Sequence, residues 1–355
     1  MSSFEDREWR FVAWNVENLF VLLDEPISEV RARIEEDQRA SLLGEAGGHR
    51  RLTESEWQNF SRSTTKNKSL EHCRQIAAII RELNPDILML SEVGGAESLA
   101  NFANLFLNGE WQSQLIEGNS DRGIDVGYLV RRDLGFVVEL NSHRERELGF
   151  LYPHESLSRE SGYTHLRHAR RESHRFSRDA AELRLLVPST GQVALICLLA
   201  HLKSHLDRHG LDPGGRDRRR AEAETLLQIY RERREEFGDA VLVAGDFNGD
   251  LWSDDEFKAW RENQGEWLDV LEAIGASPEE KFTWARLHRR RPGYYRQIDY
   301  ILVPPSWRTR LKSDETWVYR YKDVTGRTRM IPTHIDHKRG LPSDHYPVIL
   351  TLVRK

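Results

Sequence analysis

Carboxylates, carboxamides and histidines recur in short strings far apart in this 355-residue chain: WNVEN at 14–18, SEV at 91–93, GDFN at 245–248 and SDH at 343–345. Together they offer oxygen ligands for a hard cation, an acid that can take a proton from water, and an imidazole that can meet a phosphoryl oxygen. That is the equipment of metal-assisted phosphodiester cleavage. Each string stands where a strand should stop, because RFVAWNV, DILMLSEV and AVLVAGDFN are apolar, β-prone runs that end on polar residues, and SDH directly precedes HYPVILTL. Polar groups delivered from several strand ends converge on one site.

The elements that must position them read as mixed α/β. Leu70, Cys73, Ile76, Ala77, Ile80 and Leu83 recur at helical spacing, which predicts a helix over about 69–83 ended by Asn84-Pro85. A second, long helix is expected near 216–237, with Ala221, Leu227 and Tyr230 on one side. Strands are expected at about 86–91, 125–130, 135–140, 182–187, 192–200, 240–245, 298–303 and 346–353. Strands that follow one another with few crossover helices predict mostly antiparallel pairing, two sheets facing each other with helices outside. The polar segment 24–68 reads as an insertion rich in loop, and 312–342 as a second insertion.

Two readings come from the residues themselves. Glu92 follows the run ILML almost at once, so its carboxylate belongs at a strand end facing the mouth, as a metal ligand. Asp246 and Asn248 lie two apart, so extended geometry would send both side chains to one face, one to orient water and the other to hold a phosphate oxygen. A divalent metal held by one or two carboxylates and the substrate points to Mg²⁺, with Mn²⁺ as a substitute.

The order of these strings, with HLKSH at 201–205 and QIDYILV at 297–303 between the last two, resembles the endonuclease/exonuclease/phosphatase superfamily, its bacterial nuclease-like members above all. The resemblance runs from about residue 10 to 352 and implies a four-layer α/β sandwich of two mostly antiparallel mixed sheets, in one domain over 1–355. It also implies roles. Asp344 joins Glu92 on the metal, with Asn15 and Glu17 as weaker ligands. Asp246 positions or deprotonates the attacking water and Asn248 stabilises the pentavalent phosphorus. Asp299 and His345 form a carboxylate–imidazole pair, and His201 is a second phosphate-facing histidine. Arg178, in a strand resembling the family's TRD-like segment, is a phosphate contact, and Arg122 and Asp125 line the cleft. Lys203 shares the face of His201 while Ser204 points away.

Composition sets bounds on this reading. Hydrophobic residues at 39 % and ten Trp supply a substantial core, and no run of about 18 apolar residues could span a bilayer, so a soluble, cytoplasmic enzyme is expected. Cys73 and Cys197, both in apolar runs, read as buried thiols and not as a disulfide or a catalytic pair. His334 and His337 read as a loop pair without the further ligands that zinc needs. A net charge of −5 argues against nucleic acid, but HLRHARRESHR at 165–175 and RLHRRRPGYYR at 286–296 concentrate positive charge. In the second stretch Tyr294 and Tyr295 are placed to stack on bases.

The expectation is a divalent-metal-dependent nuclease acting on DNA or RNA by in-line attack of water. The alternatives are a phosphatase or phospholipase on a small phosphoester, and a catalytically silent nucleic-acid-binding module.

Overall fold

A computed structural model of the chain describes residues 7–43, 50–62, 64–152, 155, 174–207, 210–289, 293–338 and 340–354. Its strands are β1 (Trp9–Leu19), β2 (Ile87–Val93), β3 (Trp111–Gln114), β4 (Asp125–Arg131), β5 (Val137–Ser142), β6 (Ala180–Leu186), β7 (Val193–His201), β8 (Val241–Asp246), β9 (Leu268–Asp269), β10 (Trp284–Arg286), β11 (Tyr294–Arg296), β12 (Asp299–Val303), β13 (Trp317–Val318) and β14 (Val348–Leu352). The longer helices are α1 (Ile27–Leu43), α3 (Leu70–Leu83), α4 (Gly95–Phe106) and α5 (Arg216–Phe237), with a short α2 (Glu54–Asn59).

Two six-stranded sheets form, in the orders β13-β14-β1-β2-β4-β3 and β5-β6-β7-β8-β12-β9, and β10 and β11 make a separate hairpin. Pairing is antiparallel except for β1 with β2 and β7 with β8. The parallel pairs are the ones bridged by helical crossovers, α1 to α3 in the first case and α5 in the second, as parallel strands require.

The alternation along the second sheet shows why two faces are covered. Cys197, Leu199, Leu242, Ala244, Ile301 and Val303 pack in the core shared with the first sheet, while Ile196, Leu198, Val241, Val243, Tyr300 and Leu302 pack with Leu226, Leu227 and Tyr230 of α5. On the far side of the first sheet, Ile76 and Ile80 of α3 and Leu99 and Phe102 of α4 close the other layer. The result is the expected four-layer α/β sandwich. Tyr128 ties the sheets internally, donating from β4 to the carbonyls of Ala181 and Cys197 at 2.9 and 2.7 Å.

The segment 24–68 is not mainly loop: it holds α1 and α2. In α1 the inward stripe is Val30, Ile34, Asp37 and Ala40, and a buried aspartate inside that stripe hides the helical period in the sequence. Asp37 is satisfied there by Arg74 and by Arg51. Helix α3 forms as expected. Ser69 caps its N-terminus by accepting from the His72 amide, and Asn84 ends it in a left-handed conformation before Pro85. Cys73 and Cys197 are both buried and unpaired, with burial pushing the Cys73 thiol up to about 12. Among the described residues no helix is long and apolar enough to cross a membrane. Within the basic stretches, residues 165–173 and 290–292 lie outside the described residues.

Gly245, just before Asp246 in β8, has φ 133°, and a Cβ there would stand 1.9 Å from the Ala200 carbonyl oxygen on the paired β7. Gly245→Ala is therefore expected to lower the unfolding free energy by about 3 kcal/mol or more. Gly149→Ala, where a Cβ meets nothing within 4 Å, should change it by under about 0.5 kcal/mol. Urea denaturation of both variants beside the wild type measures the contrast.

Candidate active site

The strand ends of the two sheets meet, and the strings meet with them. Asn15 of β1 donates its amide to Asp246 Oδ2 at the end of β8 (2.9 Å), and His345, just ahead of β14, shares a 2.8 Å hydrogen bond through Nδ1 with Asp299 Oδ2 at the start of β12. Each bond joins one sheet to the other. Ser343 secures the seam: its hydroxyl donates to the Asn15 carbonyl at 2.7 Å and accepts from the His345 amide at 3.1 Å. The His345 carbonyl in turn accepts from the Trp14 indole at 3.2 Å and from the Tyr321 hydroxyl.

Backbone strain concentrates here. Of the six non-glycine residues with positive φ among those described, Glu17 (49°), Asn18 (55°), Glu92 (62°) and Asn248 (52°) belong to the strings. Each costs of order 1–3 kcal/mol and persists only where surrounding structure dictates it. Glu17 and Glu92 sit where the registers of β1 and β2 shift, between Asn15 and Leu19 and between Ser91 and Val93, and such bulges re-aim side chains at a sheet's end.

Asp246 and Asn248 are not brought together by extended geometry. The strand ends at Asp246, and the left-handed Asn248 turns the chain so that its amide donates to Asp246 Oδ1 at 2.8 Å, an Asx turn. The Asn248 carboxamide donates to the Leu202 carbonyl at 3.0 Å. Asp246 thus has both oxygens held by N–H groups, and it faces His201 Nε2 at 3.6 Å and His345 Nε2 at 3.9 Å.

The two histidines are driven in opposite directions. Burial pushes His201 well below the ordinary imidazole range, Arg178 adds to that, and among the described residues its Nδ1 has no hydrogen-bond partner. Burial also opposes charge on His345, but Asp299 and Asp246 outweigh it and hold that ring well above the ordinary value. His201 is thereby biased towards the neutral ring and His345 towards the imidazolium, whose Nε2 lies 3.9 Å from both Asp246 Oδ2 and Asp344 Oδ1.

The remaining carboxylates form the other wall. Burial, Asp344 and Glu92 raise the Glu17 carboxyl, while Lys68 and Lys338 oppose the rise. Glu92 Oε2 accepts from the Asn18 amide at 3.2 Å and its Oε1 lies 3.8 Å from Arg122. Asp344 accepts from Lys338 at 2.7 Å and from the Trp284 indole, whose ring stands 6.4 Å from that of His345. These carboxylates come from three segments and act on one another through space, a donor set that suits a hard divalent cation although their ligand atoms do not all lie within 4.8 Å of one another. Among the described residues, Asp246, Asp299 and His345 are the one group of three whose ligand atoms all lie within 4.8 Å of one another. There, however, Nδ1 is committed to Asp299 and the ring is cationic, so that imidazole is a poor ligand.

The other expected residues spread out from this centre. Arg178 is buried, hydrogen-bonded to the Leu202 carbonyl and the Ser177 hydroxyl at 3.3 Å each, and lines a cavity of about 160 Å³ with Arg122, Lys203 and Ser204. Lys203 and Ser204 both line that cavity, and the Lys203 ammonium turns back to the carbonyls of Ser204 and Leu206. Asp125 is buried and accepts from the Gly118 amide at 2.8 Å. Tyr294 is 55 % exposed, with the Arg296 guanidinium 5.7 Å from its ring centroid. Tyr295 instead packs on Phe282 and donates to the Pro332 carbonyl at 2.8 Å. His334 and His337, their rings 6.0 Å apart, lie at a short helical turn, Ile335–Lys338, whose Lys338 reaches Asp344. Lys68, Lys338, Tyr321 and Trp284 had no place among the sequence strings, and Ser343 stood in SDH without an assigned role. A lone Trp, Lys or Ser carries no period, and the fold alone puts them here.

Burial, then repulsion from Asp299, pushes the Asp246 carboxyl up to about 7 against the opposing His345, Asn15 and Asn248. Between the ordinary carboxylate value and about 7 the folded chain keeps a proton that the unfolded chain has lost, so stability falls as pH rises through that window. Asp246→Asn is expected to be more stable than the wild type at pH 8 in EDTA, by on the order of 2 kcal/mol, with the gap narrowing at pH 5 and closing only near pH 4. Thermal melts at these pH values check it.

The family model described as Endonuclease/Exonuclease/phosphatase family matches residues 63–345. No curated protein matches the chain by sequence. Truncated TDP2 from Caenorhabditis elegans is similar in structure, with a TM-score of 0.54 at 18% identity, covering 98% of this chain and 98% of that one. The human Nocturnin catalytic domain, solved with a bound sulfate anion, gives 0.53 at 16% identity, covering 98% of this chain and 95% of that one. At such identities the likeness establishes the shared fold. With the family match spanning well over half of its length, this chain belongs to the endonuclease/exonuclease/phosphatase family, enzymes that hydrolyse phosphodiesters with the help of a metal.

Proposed function

We propose that the chain is a Mg²⁺-dependent nuclease, with Mn²⁺ as substitute, that hydrolyses DNA or RNA phosphodiesters by in-line attack of water and leaves a 5′ phosphate. The observation that carries this reading is Asp246, clamped at both oxygens and flanked by one neutral and one cationic histidine, beside a wall of three carboxylates.

Glu92 and Asp344, helped by Glu17 and Asn15, would hold the cation, which supplies charge neutralisation and polarisation of a phosphoryl oxygen. Asp246 orients the attacking water and accepts its proton, a task for which a carboxyl near 7 is well matched. Asn15 and the Asn248 amide keep the carboxylate aimed. His345, held cationic by Asp299, donates from Nε2 to a phosphoryl oxygen as charge builds up, and neutral His201 donates to another. The Asn248 carboxamide, turned from the Leu202 carbonyl, would donate its N–H to an oxygen on the pentavalent phosphorus. Arg178, Arg122 and Lys203 take neighbouring phosphates in their shared cavity. Tyr294, exposed beside Arg296, stacks on a base.

The cross-sheet bonds from 15 to 246 and from 299 to 345 support one domain over 1–355 with insertions near 24–68 and 312–342. Two buried free thiols support a cytoplasmic location.

Supercoiled plasmid, single-stranded DNA, RNA and bis-p-nitrophenyl phosphate, each with Mg²⁺, Mn²⁺ or EDTA, form the test. Cleavage of a nucleic acid that EDTA abolishes, that Asp246→Ala lowers about 10³-fold or more, and that Glu92→Gln makes dependent on higher metal concentration is the expected outcome. Hydrolysis of the small ester with every nucleic acid intact would identify a small-molecule or lipid phosphohydrolase instead. Full activity of Asp246→Ala would refute the assigned base.

A further inference from the structure

Lys68 comes from the end of the first insertion and is only 9 % exposed, an unusual place for an ammonium. Its backbone is fixed from both sides: its amide donates to the Phe20 carbonyl at 2.8 Å and its carbonyl accepts from the Trp57 indole at 2.8 Å. Ser69, next in the chain, caps α3. The side chain runs beneath WNVEN, and Nζ donates to the Glu17 carbonyl at 2.7 Å, where the chain takes its left-handed turn. Among the described residues no carboxylate lies within ion-pairing distance of that nitrogen. The turn it holds carries Glu17 itself and, at the next residue, the Asn18 amide that donates to Glu92 Oε2 at 3.2 Å, so the ammonium stands directly behind that part of the wall. Burial works against its charge, and Glu17, Asp344 and Glu92 help to sustain it.

A buried ammonium without an ion-pair partner is costly unless nearby charge compensates it. Here the compensating charges are the carboxylates of the metal wall. Three carboxylates, one ammonium and one divalent cation sum to zero, whereas the same carboxylates and the cation alone leave one negative charge in a poorly solvated mouth. Lys338 and Arg122 also approach this wall, but their side chains are 29 and 33 % exposed, so water and salt screen them far more.

We propose that Lys68 is a positioning residue of the metal centre: a resident cation beneath Glu17, Glu92 and Asp344 that completes their charge balance with a single divalent ion and sets how tightly that ion is held. This rests on the metal-wall reading above. Lys68 also pins the Glu17 turn through the carbonyl it binds, so the charge arrives already oriented. Removing it leaves the carboxylates more negative, and a divalent ion then binds more tightly.

Mn²⁺ titration of the full chain, followed by electron paramagnetic resonance of the free ion, reads this without any substrate. The wild type is expected to bind one Mn²⁺ tightly, and Lys68→Met, with an unchanged circular dichroism spectrum, to bind it about tenfold more tightly. Lys68→Arg, which keeps the charge, should restore the wild-type affinity. Lys68→Gln, which keeps a donor for the Glu17 carbonyl, replaces the Met variant should that fail to fold. Unchanged or weaker binding in a folded neutral variant would overturn the proposal, assigning Lys68 to the Glu17 turn alone. Two Mn²⁺ ions of similar affinity in the wild type would overturn it without any variant. No Mn²⁺ binding at all would instead remove the metal-dependent reading beneath it.

Discussion

Two hydrogen bonds across the gap between the sheets, Asn15 to Asp246 and Asp299 to His345, are the constraint on which the rest of this molecule turns. Both partners of each bond are buried, so neither can fall back on water, and leaving one unmade would cost about 1–3 kcal/mol or more for a charged group. They therefore fix how the ends of β1, β8, β12 and β14 align. Strings separated by more than two hundred residues become one surface because the sheets can close only in that register. The ties from Ser343, Trp14 and Tyr321 make the same seam rigid from the side of the first sheet.

That rigidity is spent on holding groups in states they would not adopt alone. Four strained backbone positions, a carboxyl raised to about 7, a neutral histidine and a cationic one all lie within a few side chains of each other. The two histidines show how environment divides the work. His201 meets Arg178 and low polarity, His345 meets two carboxylates, and identical imidazoles end in opposite charge states. Stability is given up for this arrangement, as is usual where a site must be ready before its substrate arrives.

Much of this was legible in the sequence because strands and helices with a plain period announce themselves. The run ahead of Glu92, the run ahead of Asp246 and the Leu70-to-Leu83 stripe all became the expected elements. Helix α1 was hidden because charged residues dominate it and Asp37 occupies its inner face, satisfied there by Arg74, Arg51 and the Leu52 amide from outside the helix. The placing of Asn248 beside Asp246 was foreseen for the wrong reason, since a left-handed turn and not an extended strand puts it there. Tyr294 and Tyr295 look equivalent in sequence, and only the packing of Phe282 and Pro332 decides which one turns inward. Lys68 had no local signal of any kind, because what gives it meaning is the charge of three residues brought above it from elsewhere in the chain.

In the proposed mechanism the site divides its labour: oxygen donors on the Glu92 side for the metal, and Asp246, Asp299 and His345 kept for protons and phosphoryl oxygens. Crystals of the wild type grown with Mn²⁺ and measured at its absorption edge would locate the ion directly. An anomalous peak coordinated by Glu92, with the Asp299–His345 hydrogen bond intact, is the result this account expects. A peak coordinated by Asp246, Asp299 and His345 would contradict it, because those groups would then be ligands and could not also serve as base and imidazolium.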